Sequence, residues 1–225
     1  MMSFPERDIR QRGLVPPEKL SQVHALVIGV GAIGRQVALQ LASLGVSRMT
    51  LMDHDQVAVE NLAVQGYWPE DLDQPKVQAT GRLCVQILPS LEVTKVADRF
   101  RRHPGWSADP DRIPVVMACV DSITTRKIIW ESLHGQVALF VDGRMQAEVM
   151  RILAQDERTD PKLYRDSLFA EAEAQAGPCT ARSTIYTASI AAGLMVAQVA
   201  RWLRGLPVVP DQILNLLSGE LITAE

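Results

Sequence analysis

"ALVIGVGAIGRQVALQLASLGVSRMTLMDHD", residues 25–55, decides the fold. Its start, with His24, is a short β-branched apolar run that predicts a buried strand. Gly29, Gly31 and Gly34 follow, and then "RQVALQLASLG" sets Val37, Leu41 and Leu44 at helical spacing, with Gly45 as the stop signal. "SRMTLMDHD" is a second strand, so the stretch is a βαβ unit. A Gly-x-Gly-x-x-Gly between a strand and a helix carries more than the bare motif. Gly29 permits the tight turn, Gly31 lets a phosphate approach the backbone and Gly34 lets the helix pack closely, while the helix N-terminus offers N–H groups and a positive dipole. Asp53 falls 19 residues after Gly34, where an acid at a strand end binds ribose hydroxyls. These residues predict a nucleotide site.

Outward from this unit the alternation continues. Helices are expected in "KVQATGRLCVQIL" (76–88), "SITTRKIIWESL" (122–133) and "TARSTIYTASIAAGLMVAQVARWLRG" (180–205). Strands are expected in "LEVTKVADRF" (91–100), "IPVVMACVD" (113–121), "QVALFVDG" (136–143) and "AEVMRILAQ" (147–155). The segment from Asp156 to Pro178 loses periodicity, with an amphipathic piece around "YRDSLFAEAEAQ", and "QILNLLSGELITAE" (212–225) reads as one short strand or turn. Strands alternating with helices predict an α/β, Rossmann-like, doubly wound and mostly parallel sheet with helices on both faces. The expected organisation is one domain over 1–225: an N-terminal arm (1–20), a nucleotide-binding core (21–155), a crossover segment (156–180) and a C-terminal helix and tail (181–225).

The net charge of −3 argues against nucleic acid as the main partner, because phosphate binding needs a basic face. The three cysteines, Cys84, Cys119 and Cys179, lie far apart with no Cys-x-x-Cys, so neither a disulfide frame nor a zinc site is expected. "MMSFPERDIRQRGLVPPEKL" has no apolar run of signal-peptide length and no later segment could span a membrane, which predicts a cytoplasmic protein.

The glycine loop alone would favour NAD, but the residues after Asp53 do not continue like a dehydrogenase. "DHDQVAVENLAVQGYWPEDLDQPKVQA" resembles the ThiF/MoeB and ubiquitin-activating enzyme superfamily: Asp-x-Asp-x-Val, then Asn-Leu-x-Arg-Gln, then a turn ending in lysine. The residues here are Asp53, Asp55, Val57, Asn61, Leu62, Gln65 and Lys76. Upstream, "RDIRQRG" is similar to the family's Arg-x-x-Arg-Gln leader at Arg7, Arg10 and Gln11; downstream, "DSITTR" is similar to its Asp-Asn-x-x-x-Arg element, with Asp121 at the acid.

The resemblance implies ATP-dependent adenylation of the C-terminal carboxylate of a small ubiquitin-like or sulfur-carrier protein ending in Gly-Gly, by a homodimer. Gly29, Gly31, Gly34, Asp53, Asp55, Asn61, Gln65 and Lys76 would hold the nucleotide. Lys76 would clamp phosphate, Asp121 would hold Mg²⁺, and Arg10 would reach across the dimer as an arginine finger. Leu168, Phe169 and Met195 are candidate docking residues for the carrier. An NAD-dependent oxidoreductase and a non-catalytic nucleotide-binding subunit are the alternative readings.

Three departures stand out. Val64 occupies the position of the family's phosphate-contacting arginine and can donate nothing; Arg35 and Arg144 are candidate replacements. The two Cys-x-x-Cys pairs that hold zinc in many relatives are missing. Cys179, in "PCT" before the long helix, loosely resembles the thioester cysteine of larger activating enzymes, and also suits a small packed residue beside an N-cap. A helix N-terminus there would favour its thiolate.

Overall fold

The computed structural model describes residues 7–101, 111–169 and 183–224. Among these residues eight strands form one sheet in the order β3-β2-β1-β4-β5-β6-β7-β8. The first five, β1 (Val23–Ile28), β2 (Arg48–Met52), β3 (Glu92–Val96), β4 (Ile113–Ala118) and β5 (Leu139–Gln146), pair in parallel. The last three, β6 (Val149–Gln155), β7 (Asp211–Asn215) and β8 (Glu220–Ala224), extend the sheet antiparallel. Among the described residues six helices accompany it: α2 (Ala32–Leu44), α3 (Val59–Gln65), α4 (Lys76–Ile87), α5 (Ile123–Leu133), α6 (Pro161–Asp166) and α7 (Ile185–Leu203), after a single turn α1 (Pro17–Leu20). The doubly wound, mostly parallel sheet is the one expected.

The core divides by face. Val37 and Leu41 of α2, Val77 of α4 and Met195 and Val199 of α7 pack with Val27, Leu51 and Val141 on one side. Ile129 and Trp130 of α5 and Tyr164 of α6 pack with Leu26, Val116 and Phe140 on the other. Both faces of the central strands are therefore covered, which is why those strands read as unbroken apolar runs rather than alternating ones. No helix among the described residues is long and apolar enough to cross a membrane.

Register places the functional ends. Ile28 pairs with Met52 and with Ala118, and Ala118 pairs with Asp142. The residues leaving β1, β2 and β4 (Gly29, Asp53 and the Cys119–Asp121 turn) emerge side by side at the carboxyl edge, where open α/β sheets bind ligands.

Three local expectations change. The tail is a hairpin, β7–β8, not one strand: Asn215 Oδ1 accepts from the N–H groups of Leu217 and Ser218, and Gly219 at φ 70° completes the turn. Helix α3, only seven residues long, lies where no helix was expected; Gly66 at φ 74° stops it. The amphipathic piece after Asp156 begins earlier, as α6, where Asp160 accepts the Lys162 N–H.

Candidate functional site

The glycine loop is built as its residue types require. Gly29 has φ 84°, and a Cβ there would lie 2.8 Å from the Cys119 carbonyl oxygen. A Cβ on Gly34 would overlap the Gly29 carbonyl. Only glycine lets α2 start this close to β1 and β4. Gly31 is different: the nearest side chain to its open face is that of Gln65, 3.9 Å away. That amide's Oε1 is buried without a hydrogen-bond partner. An unpartnered buried acceptor beside a bare glycine at a helix N-terminus is a polar cradle that a bound nucleotide would complete.

The acidic pair at the end of β2 is pre-ordered. Asp53 Oδ2 accepts from the Val30 N–H at 2.6 Å and Oδ1 from the Asp55 N–H at 2.8 Å, so the carboxylate pins the glycine loop and its own turn. Asp55 Oδ2 takes the Lys76 ammonium at 2.9 Å, and the Lys76 N–H in turn donates to the Asp55 carbonyl. Partial burial alone would raise the Asp55 carboxyl; the hydrogen bond and charge of Lys76 outweigh it, and its pKa is lowered. Lys76 is 6% exposed, so its charge is already held at the crevice in a fixed direction. Asp53, His54 and Asp55 bring ligand atoms within 4.8 Å of one another, but Lys76, His54 and backbone N–H groups already engage the two carboxylates.

Asp121 follows β4 in the turn against which Gly29 packs. It is exposed, and among the described residues its carboxylate makes no hydrogen bond or ion pair. It does not cap α5: Ser122 Oγ does, accepting from the Thr125 N–H at 3.2 Å. An uncommitted carboxylate at a crevice edge suits a hard divalent cation that keeps much of its water. Asn61 is partly exposed on α3, and its Oδ1 accepts the Ala58 N–H at 3.0 Å, which leaves the amide nitrogen available.

Arg10 is not among these residues. Arg7 donates to the Ala42 and Ser43 carbonyls and Gln11 to the Leu44 carbonyl at 2.7 Å, which docks the arm on the C-terminal end of α2. The glycine loop is at the opposite end of that 13-residue helix, about 20 Å away. Arg10 is exposed on the arm, between the exposed side chains of Ile9 and Leu14. Cys179 lies outside the described residues. Cys84 and Cys119 behave as core: burial pushes each thiol up to about 12.

Of the candidate replacements for Val64, Arg144 is engaged elsewhere and Arg35 only in part, its Nη1 being buried without a hydrogen-bond partner. Arg35 is 2% exposed; Nε and Nη2 donate to the Gly66 carbonyl at 3.2 and 2.7 Å, and the guanidinium stacks on Tyr67 at 4.4 Å. It holds the end of α3, and so Gln65, over the loop. Tyr67 donates to the Val30 carbonyl at 2.6 Å and locks the same contact. Arg144 is bonded to Asp142 at 2.8 Å. Met195, a candidate docking residue, is fully buried against Gly143. Sequence reading gave no separate role to Arg126, the arginine that closes "DSITTR", while a pairing of Arg144 with Asp142 was one reading open to it; Arg126 and Asp142 are described below.

The model of the ThiF family matches residues 6–220. The chain belongs to the ThiF family. It is 34% identical over 113 residues to the sulfur carrier protein ThiS adenylyltransferase of Escherichia coli strain K12, a match covering 50% of this chain and 45% of that protein. It is 31% identical over 136 residues to the molybdopterin-synthase adenylyltransferase of Salmonella typhimurium strain LT2, covering 59% of this chain and 54% of that one. These matches span about half the length of either relative. The same fold occurs in the crystal structure of E. coli MccB with AMPCPP and MccA (TM-score 0.80, 16% identity, 98% of this chain and 71% of that one).

Proposed function

We propose that this ThiF-family chain consumes ATP, with Mg²⁺, to adenylate the C-terminal carboxylate of a small ubiquitin-like or sulfur-carrier protein. The observation that carries the reading is the Gln65 acceptor, buried and unpartnered beside Gly31, with the paired Lys76 and the uncommitted Asp121 at the same sheet edge. In the reaction the carrier's carboxylate oxygen bonds to the α-phosphorus and the bond to the bridging oxygen breaks. Pyrophosphate leaves and an acyl-adenylate remains. Two anions must approach, so the site must supply fixed positive charge. Lys76, aimed by Asp55, supplies it from the protein. The α2 N–H groups orient the phosphates, the Gln65 Oε1 would accept from a ribose hydroxyl, and Asn61 offers a further donor. When bound at Asp121, Mg²⁺ would neutralise phosphate charge. A Gly-Gly tail suits an approach to the α-phosphorus because it brings no side chain to the reacting carboxylate.

Carrier-dependent exchange of labelled pyrophosphate into ATP tests this. Exchange is expected with a carrier whose C-terminus is free and not with the same carrier amidated there. Tight NADH binding without exchange would favour an oxidoreductase. ATP binding without exchange for every carrier offered would favour a non-catalytic subunit.

The position of Arg10 makes a dimer part of the reading, since a finger at the far end of α2 cannot serve its own loop. Arg10→Ala and Lys76→Ala should each be inactive alone. Mixed in equal amounts and allowed to exchange subunits, they should recover about a quarter of wild-type exchange activity, because half the dimers then hold one intact site of two. A mixture that stays inactive argues against action across the interface.

A further inference from the structure

Behind Asp121 lies a buried charge cluster for which the reaction has no direct use. Asp142, fully buried in the middle of β5 where its parallel pairing with β4 ends, accepts from Arg126 Nη1 through Oδ1 and, through Oδ2, from Arg144 Nε at 2.8 Å and Tyr164 OH at 3.1 Å. Arg126 Nη2 also donates to the Val120 carbonyl and, at 3.1 Å, to the Gly143 carbonyl. Arg144 continues to Ser167, reaching its carbonyl at 2.8 Å and its Oγ at 2.9 Å. Two guanidiniums share one carboxylate. Burial, and then the charge of Arg144, pull Arg126 down to about 10.

A purely structural cluster would serve as well if its polar groups only satisfied one another, and an apolar replacement is often as stable. Arg126 does more than that. Its second nitrogen bridges two backbone carbonyls, one just past the carboxyl end of β4 and one inside the neighbouring β5, and the first belongs to Val120, the residue before Asp121. Asp121 has no anchor of its own among the described residues: its carboxylate is unbonded and the adjacent helix is capped by Ser122. The direction in which it points is therefore set by the Val120–Asp121 peptide. Asp121 is also close enough for its charge to favour protonated Arg126.

We propose that Arg126, held by Asp142, is a positioning residue that fixes the Val120–Asp121 peptide and aims the Asp121 carboxylate into the crevice. The proposal rests on the reading of Asp121 as the cation-binding acid. Lysine at position 126 keeps the charge but replaces a planar fork with a single point, which cannot serve Asp142 and both carbonyls at once.

A double-mutant cycle with Asp121→Asn, measured by pyrophosphate exchange, tests it. Arg126→Lys should lower kcat about 10- to 100-fold, leave the KM for ATP within about twofold, and raise the Mg²⁺ concentration needed for half-maximal exchange. In the Asp121→Asn background the same change should cost less than about twofold, because there is no longer a carboxylate to aim. An equal loss in both backgrounds, or no loss in either, overturns the proposal while leaving the role of Asp121 standing. If Asp121→Asn by itself changes nothing, the functional reading fails first. Should Arg126→Lys not fold, Tyr164→Phe removes one hydrogen bond from Asp142 and enters the same cycle; a smaller loss of kcat that vanishes with Asp121→Asn supports the proposal, and a loss that persists opposes it.

Discussion

Asp121→Asn is expected to lower carrier-dependent exchange about 100- to 1,000-fold, the usual cost of removing one fixed charge that acts on a reacting phosphate. The substitution changes almost no volume. It converts an anionic ligand with two equivalent oxygens into a neutral amide with one acceptor, which a hard divalent cation binds weakly. Stability should stay within about 0.5 kcal/mol, as for a surface change away from caps and ion pairs: the side chain is exposed and bonded to nothing among the described residues, and Ser122 keeps the helix cap. The two measurements together decide the matter. Lost turnover in a chain that melts at the wild-type temperature assigns Asp121 to the reaction. Unchanged turnover removes it from the site, and lost turnover with a lowered melting temperature would show that the turn is structural.

Gly34→Ala is the largest structural effect expected. Its Cβ would overlap the Gly29 carbonyl oxygen and come within 3.1 Å of Cys119 Cβ, so neither the loop nor β4 offers a flexible side chain to move aside. Helix propensity favours alanine by about 1 kcal/mol, but overpacking against backbone costs about 3 kcal/mol, and the clash wins. For a chain of 225 residues the net cost of about 2 kcal/mol lowers the melting temperature by roughly 4–8 °C. Nucleotide affinity should fall as well, since lifting α2 off β1 displaces the N–H groups beside Gly31. Thermal unfolding and ATP titration of the variant check both. A variant with wild-type melting and affinity would mean that α2 does not sit this close to the loop. Alanine at Gly31, whose Cβ would meet only Gln65 at 3.9 Å, should leave stability nearly unchanged while obstructing phosphate, which separates packing from binding within one motif.

Much of the nucleotide half was legible because its constraints are local. A glycine that must be glycine, an acid 19 residues on and a lysine opening the next helix each follow from a few neighbouring residues, and the structure gathers Gly29, Gly34, Asp53, Asp55 and Lys76 at one sheet edge. Arg35 was only half legible for the same reason. Seen only with its neighbours, a cation in the first turn of a helix invites a phosphate; in the folded chain the Gly66 carbonyl takes Nε and Nη2 and Tyr67 covers the face, while Nη1 is buried without a partner. The tail hairpin was read as a single element because its turn depends on one asparagine side chain reaching forward two and three residues.

The order of residues along the chain by itself determined the βαβ cradle and the parallel part of the sheet, since glycine sterics, helix stops and apolar runs act over short distances. Only the tertiary structure decided which charges meet. Lys76 and Asp55 are 21 positions apart and Arg126 and Asp142 are 16 apart, and Arg10 is carried to the end of α2 opposite the loop. Pairings of that kind depend on strand order and register, which fix distances that no local pattern contains.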